Sequence, residues 1–234
     1  MNSFFSEFVN CRNEKGKIMD MKVLVLASQK GGPGKTTLAA HLAVAAESAG
    51  MGPVVLIDTD PQASLADWWN ERQAETPAFA SMTVADLAGN LEQLAAAGFK
   101  LAVIDTPPAM TSSISSVVAV ADMVLVPVRP SPHDLRAVGQ TVELVEQAGK
   151  PFAFVLTQAK GIARLTAQAA AALSEHGVLL GTIIGDRVDY ASSMIDGRTV
   201  NELAPKGASA GEITALWEKV AERLTGGKRR KAKA

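Results

Sequence analysis

The apolar residues of this chain fall into two recurring patterns. Short, almost uninterrupted apolar runs occupy residues 22–28, 53–58, 100–105, 122–128, 152–157 and 178–184. Runs of this length are typical of strands that are buried on both faces of a parallel sheet. Between them, helix-forming or amphipathic segments predict helices at 37–50, 64–73, 83–97, 134–148, 164–175 and 209–225. The alternation predicts an α/β fold, a doubly wound and mainly parallel sheet flanked by helices.

The first apolar run leads into a glycine-rich loop, Lys30-Gly31-Gly32-Pro33-Gly34-Lys35-Thr36-Thr37. Glycines allow backbone N–H groups to turn inward around phosphate oxygens, next to the positive end of the following helix. Lys35 and Thr36 occupy the positions of the phosphate lysine and the magnesium hydroxyl in a nucleotide-binding loop. The order of strand, loop and helix therefore predicts a P-loop, although Gln29 replaces the first glycine of the general pattern.

Three aspartates follow later apolar runs. Asp58 and Asp60 belong to the segment 58–62, DTDPQ, and Asp105 begins the segment 105–108, DTPP. Ligands of a doubly wound sheet bind beyond the carboxyl ends of its strands, where all three carboxylates are expected. Phosphoryl transfer requires a held magnesium ion and a water aimed at the terminal phosphate. We assign Asp105 to the magnesium side, and either Asp58 or Asp60 to the water.

Together these motifs resemble those of the ParA/Soj partition ATPases, within the larger ParA–MinD group. The resemblance covers roughly residues 21–225 and extends to segments 126–135, 197–200 and 208–216. It implies a P-loop NTPase with a deviant Walker A loop, whose mark is a second lysine five residues before the first. Lys30 has no role in an ordinary phosphate loop. By resemblance it is a catalytic residue that reaches the ATP of the partner subunit in a homodimer.

The resemblance also assigns the remaining motif residues. Lys35 would bind the β- and γ-phosphates and Thr36 the magnesium ion. Asp60 would hold the hydrolytic water, Asp58 would steady the magnesium shell, and Asp105 would be the Walker B residue. The implied nucleotide-contacting residues are Gly31, Gly32, Pro33, Gly34, Lys35, Thr36, Thr37 and Asp58, and the implied cofactors are ATP and Mg²⁺.

The 234-residue chain is long enough for one large domain, and no linker divides it. We expect an ATPase domain at 21–225, with serine- and proline-rich loops at 107–116 and 129–132. Residues 1–20 are expected to be a disordered leader, a mis-assigned start or a short amphipathic helix. Cys11 is the single cysteine, which excludes an internal disulfide framework and argues against an iron–sulfur carrier. The strand-length apolar runs favour a cytoplasmic protein without a transmembrane helix.

The last nine residues form a tail, 226–234, with five basic and no acidic side chains. The rest of the chain has 18 basic and 24 acidic side chains, a net charge of −6. A basic tail on a mildly acidic body suggests a local patch for a phosphate-rich polymer, although a solubilising end is an equal alternative. The candidate DNA-binding residues are Arg187, Arg198, Lys206, Lys219, Arg223, Lys228, Arg229 and Arg230.

The function predicted from the sequence is a slow ATPase switch that dimerises on ATP, binds nonspecific DNA and is nucleoid-associated. A ParB-like or cargo-adaptor protein would stimulate hydrolysis, and the cargo would be a plasmid, a chromosome or a protein cluster. The first alternative is a MinD-like membrane-associated ATPase, which is disfavoured because the tail has no large apolar side chain. The second is a metabolic P-loop enzyme of the dethiobiotin synthetase type.

Overall fold

The computed structural model describes residues 21–107, 112–160 and 164–226. The strands are β1 Lys22–Leu26, β2 Val54–Asp58, β3 Ala78–Ser81, β4 Leu101–Asp105, β5 Met123–Val128, β6 Phe152–Ala159 and β7 Leu179–Gly185. They form one seven-stranded sheet in the order β3-β2-β4-β1-β5-β6-β7. Every neighbouring pair is parallel. The predicted doubly wound parallel sheet is therefore confirmed.

Helices cover both faces of the sheet. They are α1 Lys35–Ser48, α2 Ser64–Asn70, α3 Leu87–Ala96, α4 Ser112–Ala119, α5 Pro132–Gln147, α6 Arg164–His176, α7 Val188–Ser193, α8 Val200–Leu203 and α9 Ala208–Leu224. Helices α1, α2, α7, α8 and α9 share one buried cluster, which includes Leu38 and Ile213. Helices α3 to α6 share the other, which includes Leu91 and Val142. Within the described residues, no helix has the length and apolar character needed to cross a membrane.

The alternation of side chains along β1 explains why its sequence is apolar throughout. Leu24 and Leu26 face one cluster, whereas Val23 and Val25 face the other. Strand β1 also lies between β4 and β5, so the chain order reverses around it. Such a reversal opens a crevice at the carboxyl ends of the strands, and the P-loop that follows β1 lies at that crevice.

The structure corrects several predicted boundaries. Helix α4 begins at Ser112, inside the segment 107–116 that was predicted to be a loop. Helix α3 begins at Leu87 and not at 83, because Thr83 donates a 2.6 Å hydrogen bond to the carboxylate of Asp86 within a turn. Strand β3, with only four residues, and the short helices α7 and α8 were not predicted. The predicted leader 1–20 and the tail residues beyond Gly226 lie outside the described residues.

The helix after the P-loop is anchored by a buried histidine. His41 is fully buried, and its Nδ1 lies 2.7 Å from the carbonyl oxygen of Thr37, to which it donates. Its ring contacts that of Tyr190 edge-on, with centroids 5.4 Å apart. The hydroxyl of Ser193 lies 3.4 Å from Nε2. Burial lowers the pKa of His41 from 6.5 to about 4, so the ring is neutral in the folded protein.

Candidate active site

Helix α1 begins at Lys35, the lysine predicted to bind phosphate. Gly34, the residue before it, has a φ of +91°, a left-handed conformation that glycine adopts without a Cβ clash. The side chain of Lys35 is buried, and its Nζ donates to the carbonyl oxygens of Lys30 at 3.3 Å and Ser28 at 3.5 Å. Burial lowers the pKa of Lys35, against the attraction of Asp105 and Asp60. The loop thus wraps around a positioned cation.

Thr36 and Asp105 are brought into direct contact. The hydroxyl of Thr36 donates a 2.6 Å hydrogen bond to Oδ2 of Asp105, whose residue is 1% exposed. Among the described residues, no hydrogen-bond partner contacts the other carboxylate oxygen, Oδ1, which is also buried. Burial raises the pKa of Asp105 to about 7. A buried carboxylate oxygen without a partner, next to a hydroxyl, is a donor set that fits a magnesium ion.

Two threonines that the sequence analysis did not single out hold the end of β4. The hydroxyl of Thr59 donates to the carbonyl oxygen of Asp105 at 2.7 Å, and that of Thr106 donates to Leu26 at 2.7 Å. Both hydroxyls bridge neighbouring strands at the crevice and so fix the position of Asp105. The recurrence of Asp-Thr at 58–59 and 105–106 was the signal available in the sequence.

Asp58 and Asp60 differ in what their carboxylates contact. Asp58 is buried, and its two oxygens accept the backbone N–H groups of Asp60 at 2.9 Å and Ala66 at 3.2 Å. It therefore shapes the turn that carries Asp60, and its contribution to the magnesium shell stays a prediction. The Asp60 side chain is partly exposed, and its Oδ1 accepts the N–H of Gln62 at 3.0 Å. Of the two, Asp60 is the one with access to a water molecule.

The start of the loop is exposed. We call Lys30, Gly31 and Gly32 the outer lip, and Gly34, Lys35 and Thr36 the inner half of the P-loop. All three residues of the outer lip are exposed. In the part of the chain that the structure describes, the Lys30 side chain makes no hydrogen bond or ion pair, and only its carbonyl is engaged, by Lys35. Its predicted contact with a partner subunit stays a prediction.

Strand β6 supports the loop from the other side. The hydroxyl of Thr157 donates to the carbonyl oxygen of Pro33 at 2.8 Å, and Nε2 of Gln158 donates to that of Gly32 at 2.6 Å. Gln158 has a φ of +50°, a left-handed conformation that is uncommon for a residue with a side chain. Such conformations persist where the surrounding contacts require them, often at functional sites. These residues position the phosphate loop, and the sequence analysis gave neither of them this role.

The candidate DNA-binding residues do not form one patch. Arg187 is paired with Glu212 at 2.8 Å and Arg198 with Asp196 at 2.6 Å, whereas Lys206 is exposed in the turn before α9. Arg187 lies just beyond the carboxyl end of β7, the end of the sheet at which the P-loop lies. Lys228, Arg229 and Arg230 are outside the described residues.

The other two basic candidates, Lys219 and Arg223, lie near the amino ends of the strands, away from the P-loop. Helix α9 has 17 residues, about 25 Å of length. It runs antiparallel to β7, because Glu212 near its start accepts from Gly185 at the end of the strand, whereas Arg223 near its end lies close to Leu179. Lys219 and Arg223, near its end, line a cavity of about 490 Å³ together with Phe152 and Leu179, at the amino ends of β6 and β7. Within one subunit the candidate residues therefore occupy two separate surfaces, and their binding to DNA stays a prediction.

Comparison with known proteins identifies the family. Residues 24–200 match the family described as the CobQ/CobB/MinD/ParA nucleotide binding domain. The chain belongs to this family. It is 34% identical, over 84% of its own length and 95% of the relative, to the maintenance of carboxysome distribution protein A (McdA) of Halothiobacillus neapolitanus.

Solved structures agree on the fold. A Cyanothece McdA–ATP complex superimposes with a TM-score of 0.66 and 20% identity, over 90% of this chain and 98% of that one. The septum site-determining protein MinD from Pyrococcus horikoshii, solved with Mg-ADP, has a TM-score of 0.70 and 19% identity, over 90% and 99% of the two chains. The chain is thus a Mg²⁺-dependent ATPase of the ParA/MinD positioning family, which confirms the predicted ATP hydrolase and its cofactors.

Proposed function

We propose that this ATPase is a nucleotide-gated dimer that positions a large cargo relative to DNA. The observation that carries the proposal is the outer lip of the P-loop, where Lys30 is exposed and uses only its backbone carbonyl within its own subunit. A lysine that is not needed for the phosphate site of its own chain is available to the phosphates of another. The family membership supports this reading, because the second lysine is the mark of the deviant Walker A loop.

In the proposed cycle, ATP brings two subunits together with their P-loops facing each other. Each Lys30 reaches the terminal phosphate of the nucleotide in the opposite subunit. ADP lacks that phosphate, so it presents less negative charge to Lys30 and holds the dimer less firmly. The γ-phosphate thereby determines whether the protein is a dimer or a monomer.

Hydrolysis is performed by the residues already in place. Lys35 binds the phosphates from beneath the loop, and Thr36 and Asp105 hold the magnesium ion. When bound, this ion neutralises charge on the phosphate oxygens. Asp60 orients the attacking water, and Asp58 keeps the Asp60 turn in position through its hydrogen bond at 2.9 Å. The slow rate expected of such a switch leaves room for an adaptor protein to stimulate it.

Dimerisation would also join basic surfaces that are separate in one subunit. The exposed Lys206, Lys219 and Arg223 and the basic tail are the candidates for contacts to the DNA backbone. Contacts of this kind are insensitive to sequence and weaken steeply with salt. The similarity to a carboxysome distribution protein favours a protein assembly as the cargo, with plasmids and chromosomes as the other options in the family.

The proposal is tested by binding to random-sequence duplex DNA across a salt series. The Asp60→Ala variant is used because it is expected to retain ATP. Its DNA binding in ATP–Mg²⁺ is compared with that in ADP–Mg²⁺, and its mass is measured in parallel by sedimentation. We expect a dimer and salt-sensitive DNA binding with ATP alone. The double variant Asp60→Ala, Lys30→Ala is the control and is expected to remain monomeric and unbound.

Each contrary outcome removes a different part of the proposal. A monomer in ATP would remove the gated dimer altogether. If the ATP dimer does not bind DNA but binds vesicles containing anionic lipid, the DNA-positioning function is wrong and the MinD-like alternative takes its place.

A further inference from the structure

An arginine beside the P-loop is held in a fixed orientation by a buried carboxylate. Arg129 directly follows β5, the strand next to β1 at the crevice. Its Nε donates to Oδ2 of Asp134 at 2.5 Å and its Nη2 donates to Oδ1 at 3.1 Å. This two-point contact fixes the plane of the guanidinium as well as its position.

The carboxylate is itself anchored. Asp134 is 4% exposed and lies in the first turn of α5. Its backbone N–H donates to the hydroxyl of Ser131, the N-cap of that helix, at 3.1 Å. A carboxylate in the first turn is stabilised by the helix dipole. Asp134 therefore provides a rigid support for the guanidinium, which is about one-third exposed.

The third nitrogen of the guanidinium faces the outer lip of the P-loop. A Cβ built on Gly32 would lie 3.3 Å from Nη1 of Arg129. Within the described residues, Nη1 has no hydrogen-bond partner, although Nε and Nη2 are both engaged. The carbonyl oxygen of Gly32 accepts a hydrogen bond from Nε2 of Gln158. The arrangement leaves a charged donor group at the glycine-rich segment that cradles phosphate.

We propose that Arg129 is a phosphate-binding residue of the ATPase site, which donates through Nη1 to the terminal phosphate of the nucleotide bound by its own subunit. Asp134 is the positioning residue that aims it. This proposal concerns the ATPase reaction itself and is independent of dimerisation and of DNA. If Arg129 served only to hold β5 to α5, its contacts through Nε and Nη2 would be sufficient. No third guanidinium nitrogen would then be needed at the P-loop.

The chemistry of the guanidinium also predicts how the contribution of Arg129 depends on salt. Charge that spreads over the γ-phosphate oxygens during transfer is stabilised by fixed donors, and arginine suits this because it stays charged and planar. The pair formed with Asp134 has no net charge, so the benefit comes from a short-range hydrogen bond and not from long-range attraction. The effect should therefore depend little on salt, unlike that of a free surface lysine.

The test measures ATP and ADP affinity and single-turnover hydrolysis for Arg129→Ala and Arg129→Lys, each with a thermal melt. We expect Arg129→Ala to lose roughly tenfold to a hundredfold in ATP affinity or in the hydrolysis rate, with ADP affinity within about twofold. Arg129→Lys should recover only part of the loss, because lysine lacks the fork. The matched control is Arg136→Ala, an exposed arginine one turn into the same helix α5, which should behave as the unaltered protein.

The positioning role of Asp134 is separated by Asp134→Asn, which retains Arg129 but weakens its orientation. We expect this variant to lower the single-turnover rate with little change in the KM for ATP. If Arg129→Ala leaves the hydrolysis rate unchanged and lowers ATP and ADP affinity equally or not at all, the proposal is overturned. A lowered melting temperature with an unchanged ATP-to-ADP preference and rate would likewise assign Arg129 to holding β5 and α5 together.

Discussion

The two halves of the P-loop are built in opposite ways. In the inner half, Lys35 is buried and hydrogen-bonded, and Thr36 already contacts Asp105 at 2.6 Å. In the outer lip, Lys30 is exposed, and its side chain makes no hydrogen bond or ion pair with the described residues. Two lysines five positions apart in the same loop thus have different surroundings.

The difference indicates which parts of the site one subunit completes alone. A buried, pre-positioned group binds without further ordering, whereas a free lysine side chain must lose its rotamer freedom when it binds. The inner half is therefore suited to hold nucleotide in a single subunit. The outer lip is suited to a conditional contact that forms only when another surface approaches.

The most damaging change to the inner half is Lys35→Ala. It removes a buried cation at the phosphates, and we expect ATP affinity to fall roughly a thousandfold, about 4 kcal/mol. Isothermal titration with ATP–Mg²⁺ measures this loss, and Lys30→Ala serves as the control within the same loop. Full ATP affinity in Lys35→Ala would remove the assignment of the loop.

Asp60→Ala should separate turnover from binding. The variant keeps both halves of the loop, so ATP should bind and the dimer should form. Hydrolysis should slow roughly a hundredfold or more, because the water loses its orienting group. Phosphate release is measured against that of Asp67→Ala, an exposed acid on α2. Normal turnover in Asp60→Ala would move the role to Asp58 or elsewhere.

Lys30→Ala should affect only the outer lip. ATP should still bind to the monomer, but the dimer should weaken roughly a hundredfold, because two symmetric contacts of about 1.5 kcal/mol each are lost. Sedimentation in ATP–Mg²⁺ gives the dissociation constant, with Lys219→Ala as an exposed lysine control. A normal dimer would mean that the two halves of the loop do not differ in the proposed way.

The smallest effect concerns the helix on which the inner half rests. The pKa of His41 is lowered from 6.5 to about 4, so the unfolded chain takes up a proton below pH 6.5 while the folded protein does not. The free energy of unfolding should therefore fall by about 2 kcal/mol between pH 7 and pH 5 from this group. Denaturation across that range should lose this slope in His41→Gln but not in His133→Gln, whose histidine is exposed. Equal slopes in both variants would show that His41 is protonated in the fold.

Much of the fold was predictable because most core strands are buried on both faces. Every residue of β2 and β4 is buried, and both read as continuous apolar runs in the sequence. Strand β3 escaped prediction because Ala78–Ser81 is short and lies at the edge of the sheet, with one of its four residues buried. The start of α4 at Ser112 was hidden because serines in a row resemble a loop.

The site was predictable only where a local motif carries the chemistry. The P-loop and its aspartates are contiguous patterns, so their residues could be named from the sequence. The roles of Arg129 and Gln158 could not, because they depend on where these residues lie relative to Gly32, which is 126 positions before Gln158. No periodicity or spacing encodes a contact between strand ends that are so distant in the chain.

These long-range supports also set the order in which the working site appears. The carbonyl oxygen of Pro33 accepts a hydrogen bond from the hydroxyl of Thr157, which is 124 positions later in the chain. While the ribosome is still making the middle of the protein, the loop sequence has emerged but its scaffold has not. A ligand that binds the folded state stabilises it by mass action. ATP can therefore stabilise only molecules in which β6 is in place. Nucleotide binding in this chain therefore also reports that β6 has folded against the P-loop.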